Sequence, residues 1–292
     1  MSATVLVTGA TGTVGRHLVS ELLAAGHQVR AGVPDPAAAD LPAGAVAVRL
    51  DFTDPATAGP ALDGADRLFL LRPPAISDVR TALGPLVAAA GQRGLRQVVV
   101  LSVMGVNPLM PHWRMERMVR AAGLPFVALR PAYFAQNLLT AFGEDIRRRS
   151  ELRLAAGAGR LSFVDARDVA AVAARVLTDS ARSGQLGQPP LTLTGPQALS
   201  CADAAALLSA ELGRTVRYRR LGLLEHRRDL LARGLEPTYV RVQLVIDVTT
   251  RLGLADTVNG EIARLLGRPA TCLADFLRDH RTAWVSSRPA GR

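Results

Sequence analysis

The sequence contains no lysine; all 35 of its basic residues are arginine. That absence excludes Schiff-base chemistry, the lysine of a phosphate-binding P-loop and any tyrosine–lysine proton relay. Cysteine is scarce as well. Cys201 and Cys272 stand far apart with no partners at metal-ligand spacing, which argues against a structural disulfide or a thiolate metal site. The five histidines are scattered, so no metal site is expected. No uninterrupted apolar run reaches the roughly 20 residues that a membrane span requires, and no membrane association is expected. The beginning, "MSATVLVTGATG", has no basic segment ahead of an apolar one, which predicts no signal peptide and a cytoplasmic address.

Acidic residues are outnumbered, 25 against 35, giving a formal net charge of +10. Such a balance can serve nucleic-acid binding. Here the arginines are spread along the chain, and the denser stretches "IRRRSELR" and "VRYRR" carry no reading motif. No nucleic-acid partner is expected; the excess reads as a solvated face or a pocket for an anionic ligand. Internal repeats and low-complexity segments are absent, apart from a frayed end, "SSRPAGR".

What is present is a regular alternation. Short apolar runs at 4–7, 28–33, 45–50, 67–71, 97–101 and 126–130 alternate with helical segments such as 12–25 and 77–90. Nearly all-apolar strands separated by helices predict a parallel sheet covered on both faces, an α/β doubly wound fold of Rossmann type. Beyond Arg130, "FAQNLLTAFGEDIRRR" reads as helix, "RLSFVDARDVAAVAARVL" as strand plus helix, and "PLTLTG" as a further strand. From Ser200, a candidate N-cap for "CADAAALLSAEL", helices dominate. The expected division is a dinucleotide-binding domain over 1–195, with 133–160 contributing to the substrate pocket, and a small, mainly helical substrate domain over 196–292.

The glycine turn carries the first chemistry. "VLVTGATGTVG" sets Gly9, Gly12 and Gly15 directly after the first strand and at the opening of a helix, with Thr11 and Val14 between them. The first glycine permits a tight turn, the second lets backbone N–H groups approach a pyrophosphate, and the third brings helix against strand. At the end of the third strand Asp51 and Phe52 are placed for an adenine, Asp51 accepting from its amino group; a turn or capping role is the alternative for Asp51. Leu71 and Arg72 end the fourth strand, where they would run beside the nicotinamide ribose, although Arg72 could instead be solvated.

Together "VTGATGTVG", "LSVMG", "HWRME", "LPFVALRPAYFAQNLL", "FVDARDVAAVAARVL" and "LTLTGPQALSCADAAALLSAELGR" resemble the NmrA-like, atypical short-chain dehydrogenase/reductase family over nearly the whole chain. The resemblance implies a Rossmann domain with a small carboxyl-terminal domain. It implies either an NAD(P)H-dependent reductase, of quinones or in secondary metabolism, or a regulator that binds the dinucleotide without turning it over. NADP-binding members commonly carry an arginine just past the second strand, whereas this chain has Pro34 followed by Asp35. An acid there suits a free ribose hydroxyl and repels a 2′-phosphate, so NAD(H) is favoured. NADP(H) stays open, because Arg30 or another arginine could reach in.

Where many short-chain dehydrogenases keep a tyrosine and, four residues on, a lysine, "PHWRMERMV" has His112 and Glu116. The usual tyrosine protonates an alkoxide. Hydride added to a quinone instead yields a phenolate-like anion whose conjugate acid has a pKa of about 10, so a hydrogen-bond donor suffices to polarise it. His112 is the candidate donor, since histidine can act as an acid near neutral pH; the alternative is a helix-start residue bonded to Glu116. Ser102, by the resemblance, sits where related enzymes hold a substrate-binding serine, or else caps a turn. Met104, Trp113, Tyr133, Phe134 and Asn137 are candidates for the substrate pocket, with ordinary packing the rival for the aromatics, and Asp168 reads as a brace for its helix. The resulting expectation is an NAD(P)H-dependent reductase of a quinone or polycyclic aromatic ketone. The alternatives are a non-catalytic redox sensor, or an isomerase or dehydratase on the same scaffold. A homodimer is compatible with the sequence but not required by it.

Overall fold

The structure, a computed structural model, describes residues 2–285; the expected frayed end "SSRPAGR" lies outside the described residues. Six strands, β1 (Thr4–Thr8), β2 (Gln28–Val33), β3 (Val46–Arg49), β4 (Arg67–Leu70), β5 (Gln97–Leu101) and β6 (Phe126–Pro131), pair in the order β6–β5–β4–β1–β2–β3. All five pairings are parallel, and the strand Leu191–Leu193 flanks β6. The chain runs outward from β1 to β3, then crosses back to β4 and proceeds the other way. The order therefore reverses between β1 and β4, which opens a crevice beyond the carboxyl ends of these two strands.

Burial explains why these runs are strands. Leu6, Leu68, Leu70, Val98 and Val100 point to one face and pack against Ala58 and Ala61 of α2 (Ala58–Ala61), Leu83, Leu86 and Val87 of α3 (Val79–Gln92) and Met115 and Val119 of α4 (Pro111–Ala121). Val5, Val7, Phe69, Val99 and Val127 alternate onto the opposite face and are fully buried too. There α1 (Gly15–Ala24) and the helix Ala166–Thr178 pack together. Each such Val, Leu or Phe contributes about 1.5–3 kcal/mol on leaving water, so the double-sided apolar pattern fixes a covered sheet. Helix α1 begins at Gly15 rather than near Gly12, because residues 9–14 form the turn, closed by Gly12 N–H to Gly9 C=O at 2.9 Å. Helix α3 begins at Val79, where the Asp78 carboxylate accepts from Thr81 N–H.

By compactness the chain divides into two units, Met1–Pro131 with Ala166–Thr192, and Ala132–Asp165 with Leu193–Arg292. The second contains β7 (Tyr133–Phe134), α5 (Gly143–Arg149), β8 (Glu151–Leu154) and β9 (Arg160–Val164). After α6 (Ala166–Thr178) and β10 (Leu191–Leu193) come β11 (Ala198–Ser200), α7 (Cys201–Leu212), β12 (Arg217–Arg220), α8 (Leu223–Ala232) and α9 (Pro237–Arg251). Strands β11, β9 and β7 form one small sheet, and β12 pairs in parallel with β8. The segment 132–165 is thereby grouped with the carboxyl-terminal part, through the pairing of β9 with β11.

Two local readings meet different outcomes. Ser200 caps α7 with a reciprocal pair: Asp203 N–H donates to Ser200 Oγ at 3.1 Å and Ser200 N–H to the Asp203 carboxylate at 2.9 Å. The continuous helix expected over "FAQNLLTAFGEDIRRR" is instead a strand, a 3₁₀ turn at Ala135–Leu138 and the short α5. The indole of Trp284 donates to the Leu138 carbonyl, which a continuous helix would have kept for its own next turn. Among the described residues no helix is long and apolar enough to cross a membrane.

Candidate active site

At the end of β1, Gly9 adopts φ +60°, and a Cβ there would lie 2.8 Å from Leu71 Cδ2. A Cβ at Gly15 would lie 2.0 Å from the Gly9 carbonyl oxygen, so only glycine lets α1 approach the strand so closely. Gly12 differs from both. A Cβ there would meet the Gly9 carbonyl oxygen at 3.2 Å and otherwise open space, over an exposed Thr11 and a buried Val14. No side chain caps the amino end of α1, where Arg16 N–H donates to the Gly12 carbonyl at 3.1 Å, and a helix amino terminus of this kind favours an anion. Leu71 N–H donates to Thr8 Oγ1 at 3.0 Å, tying the end of β4 to that of β1 across the switch point. This geometry fits a dinucleotide pyrophosphate at the glycine turn.

Toward the ribose and adenine end, Asp35 is exposed and its carboxylate accepts from Ala37 N–H at 3.0 Å. Arg30 is committed elsewhere, donating to the carbonyls of Ala61 (3.0 Å) and Pro60 (3.1 Å). Asp51 Oδ1 accepts from the hydroxyl (2.7 Å) and the N–H (2.8 Å) of Thr53, bonds that hold the carboxyl below its usual range. Asp51 thus has the turn role weighed as its alternative, whatever else it meets. Phe52 lines a cleft with Ile76, Ser77 and Thr81.

Three groups converge on the ends of β4 and β5 and the start of α4. Arg72 is buried rather than solvated, and its Nη1 donates to the carbonyls of Pro73, Pro74 and Ile76. Ser102 is buried; its N–H donates to the Leu129 carbonyl, while its Oγ has no hydrogen-bond partner within the protein. His112 keeps some exposure as a residue, yet its Nδ1 is enclosed and equally unpartnered. Burial first, and then the charge of Arg72, push its pKa down to about 4, with Glu116 pulling weakly the other way.

A ring with that pKa is neutral at pH 7, so His112 is no imidazolium acid there, contrary to the expectation from its ordinary titration range. A neutral imidazole still donates through one N–H. Glu116 does not bond to His112 as the alternative reading required. It is buried and grips Arg130 of β6 through two hydrogen bonds, 2.6 and 3.0 Å, fixing α4 against the sheet.

Met104 is half-buried, its N–H on the Pro131 carbonyl. Trp113 stacks beneath Arg117, 4.7 Å from guanidinium carbon to ring centre, and lines a cleft between α3 and α4 with Asp78, Arg114 and Met118. That cleft does not include His112 or Ser102. In the second unit Tyr133 is buried, its ring edge-on to Phe163, its hydroxyl 3.5 Å from Gln243 Oε1; burial raises its pKa well above 10. Phe134 and Asn137 are half-buried. Asp168 is buried in the first turn of α6.

Sequence reasoning missed a polar cluster behind Tyr133. Asp247 accepts from Gln243 Nε2 at 3.1 Å and lies 2.7 Å from His226 Nδ1, all three buried. His226 and Asp247 sit 21 positions apart on different helices, and no local pattern announces such a pair.

Comparison with known proteins settles the class. The family model described as "NAD(P)H-binding" matches residues 9–180. The chain belongs to this NAD(P)H-binding family. It is 32% identical to the NAD(P)H azoreductase of Xenophilus azovorans, over 96% of this chain and 99% of that one. It is also 32% identical to the (4-alkanoyl-5-oxo-2,5-dihydrofuran-3-yl)methyl phosphate reductase of Streptomyces griseus, over 96% and 99%. Among solved structures, the NADPH-dependent quinone oxidoreductase of Escherichia coli complexed with NADPH superposes with a TM-score of 0.80 at 25% identity, covering 94% of this chain and 99% of that one. The protein is an NAD(P)H-dependent oxidoreductase of Rossmann type.

Proposed function

We propose that this reductase transfers hydride from NAD(P)H to a quinone or a polycyclic aromatic ketone, without a tyrosine–lysine pair. The observation that carries this reading is the presence of two enclosed, unpartnered polar atoms, Ser102 Oγ and His112 Nδ1, on the unit that holds the glycine turn. Buried polar atoms are rarely left unpaired, and a pair of them at adjoining strand and helix ends suits a role toward a bound molecule. Bound NAD(P)H would supply a hydride (two electrons and one proton), and the resulting hydroquinone monoanion would take its second proton from solvent. Ser102 and neutral His112 polarise the accepting oxygen by hydrogen bonding and need not surrender a proton to it.

Met104 of the first unit is a candidate for substrate recognition, and Phe134 and Asn137 of the second unit are candidates in their own right. Trp113, in its own cleft under Arg117, is left out of that set. The names of the azoreductase and quinone oxidoreductase relatives support an acceptor of the quinoid or azo kind. The test is oxidation of NADH and NADPH against a panel of quinones, anthraquinones and azo dyes. Turnover of the quinones is expected, and tight cofactor binding with no turnover of any acceptor would refute the reading in favour of a sensor.

For the cofactor, NADH is proposed over NADPH, because Pro34 and Asp35 follow β2, where the resemblance implies the 2′ position, and Arg30 is held by backbone carbonyls. Pro34→Arg should move the ratio of dissociation constants toward NADPH by about tenfold, the effect of one charge-assisted hydrogen bond. Calorimetric titration with both nucleotides checks this. A wild-type protein that binds NADPH more than about tenfold tighter would overturn the preference.

A further inference from the structure

Arg72 is a guanidinium 8% exposed at the carboxyl end of β4, one of the two strands that flank the switch point. Its Nη1 is fixed by three carbonyls of the loop that follows, Pro73 at 2.9 Å, Pro74 at 3.0 Å and Ile76 at 2.7 Å. Its Nε is enclosed and has no partner within the protein. Among the described residues no carboxylate forms an ion pair with it, and Glu116 belongs to Arg130. Carbonyl dipoles immobilise this cation without neutralising it. Burying a charge without a counter-ion is unfavourable, and arginine cannot escape by losing its proton. A buried cation of this kind, at the end of a central strand, is placed to meet an anion.

The charge is felt at His112, where it adds to burial in keeping the ring neutral. The charged groups acting on that ring are Arg72 from the end of β4 and, from its own helix, Glu116, already held by Arg130 of β6. At the end of β5, the strand paired with β4, Ser102 Oγ is likewise enclosed and unpartnered, as is Nδ1 of His112, whose ring feels the Arg72 charge.

We propose that Arg72 provides the positive charge of an oxyanion pocket shared with Ser102 and His112, which binds the ionised oxygen of a phenolate-type product in preference to a neutral phenol. The proposal rests on the quinone-type reading above, and it moves Arg72 from the ribose of the cofactor to the reacting oxygen. In a chain without lysine the cation comes from the end of a central strand, not from the helical turn after a catalytic tyrosine. Anionic products would gain from it directly, and simple alkoxides too little to dispense with a proton donor.

The test uses 4-nitrophenol, whose phenolate is coloured, titrated against the protein saturated with oxidised cofactor. The wild-type complex should lower the apparent pKa of the bound phenol by about 1–3 units, a preference of roughly 10- to 1,000-fold for the anion, as one close opposite charge does. Arg72→Gln, which removes the charge, should lose most of that preference, and Arg72→Lys, which keeps it, should retain much of it. In Arg72→Gln the His112 ring, followed by NMR, should titrate closer to 6.5, a change that a merely structural role for Arg72 would not produce.

Equal binding of phenol and phenolate by the wild type, or no binding of either, would overturn the pocket, as would an undiminished preference in Arg72→Gln. Should Arg72→Gln fail to fold, the wild-type titration alone still decides. The probe is not reduced, so a protein that selects phenolate yet turns over no quinone would refute the proposed reaction and leave the pocket standing.

Discussion

Gly12→Val is expected to weaken binding of both NADH and NADPH by roughly 100-fold or more, a loss of at least about 2.7 kcal/mol, while the protein stays folded. The two halves of that expectation have separate causes. A side chain at residue 12 meets one carbonyl oxygen at 3.2 Å and then enters the open space over the amino end of α1, where a pyrophosphate needs close access to backbone N–H groups. Because that space is empty of protein, filling it should move the melting temperature by only a few degrees. Gly15→Ala makes the contrast. Its Cβ would sit 2.0 Å from the Gly9 carbonyl oxygen, so this change should damage the fold itself. Calorimetry with thermal unfolding separates the two variants, and unchanged NADH affinity in a folded Gly12→Val protein would remove the proposed site.

That pair of glycines also shows what was legible in the sequence. The glycine turn is a backbone requirement written in consecutive residues, and the double-sided apolar strands are written in runs of five or six, so both could be read without coordinates. The matched family region, 9–180, opens on the same turn. The chemistry at the strand ends was only half legible. Ser102 and His112 could be chosen from their places after β5 and at the start of α4. His112 is kept neutral first by burial, and the charge that adds to it comes from Arg72, 40 positions earlier, at the end of the strand paired with β5.

Trp113 lines a cleft of its own with Arg114 and Met118. Consecutive residues on a helix point about 100° apart, so the neighbour of a site residue need not share its cleft. Tyr133 was illegible in another way, since its hydroxyl is engaged by Gln243, which is itself held by Asp247, both far along the chain. A buried tyrosine with its pKa raised, its proton committed to an amide, is a poor acid for a substrate.

His112→Ala is expected to lower quinone turnover by about 10- to 1,000-fold while leaving NADH affinity nearly unchanged, the range spanned by loss of a general acid or an oxyanion donor. Neutrality decides which of these it is. With a pKa near 4, the ring carries no transferable proton beyond its own N–H at pH 7, so its contribution is polarisation and should persist without an inflection near pH 6.5. The same reasoning limits the substrate. A hydroquinone monoanion can leave and be protonated in solvent, whereas the alkoxide from a simple secondary ketone, a far stronger base, needs an acid that neither a neutral imidazole nor a buried Tyr133 supplies. Quinones should therefore be reduced and simple ketones scarcely touched, measured as kcat/KM for each with one cofactor. Equal rates for both classes would mean that an acid operates that the residues around β4, β5 and α4 do not explain. An unchanged rate in His112→Ala would leave polarisation to Ser102 and the fixed charge of Arg72.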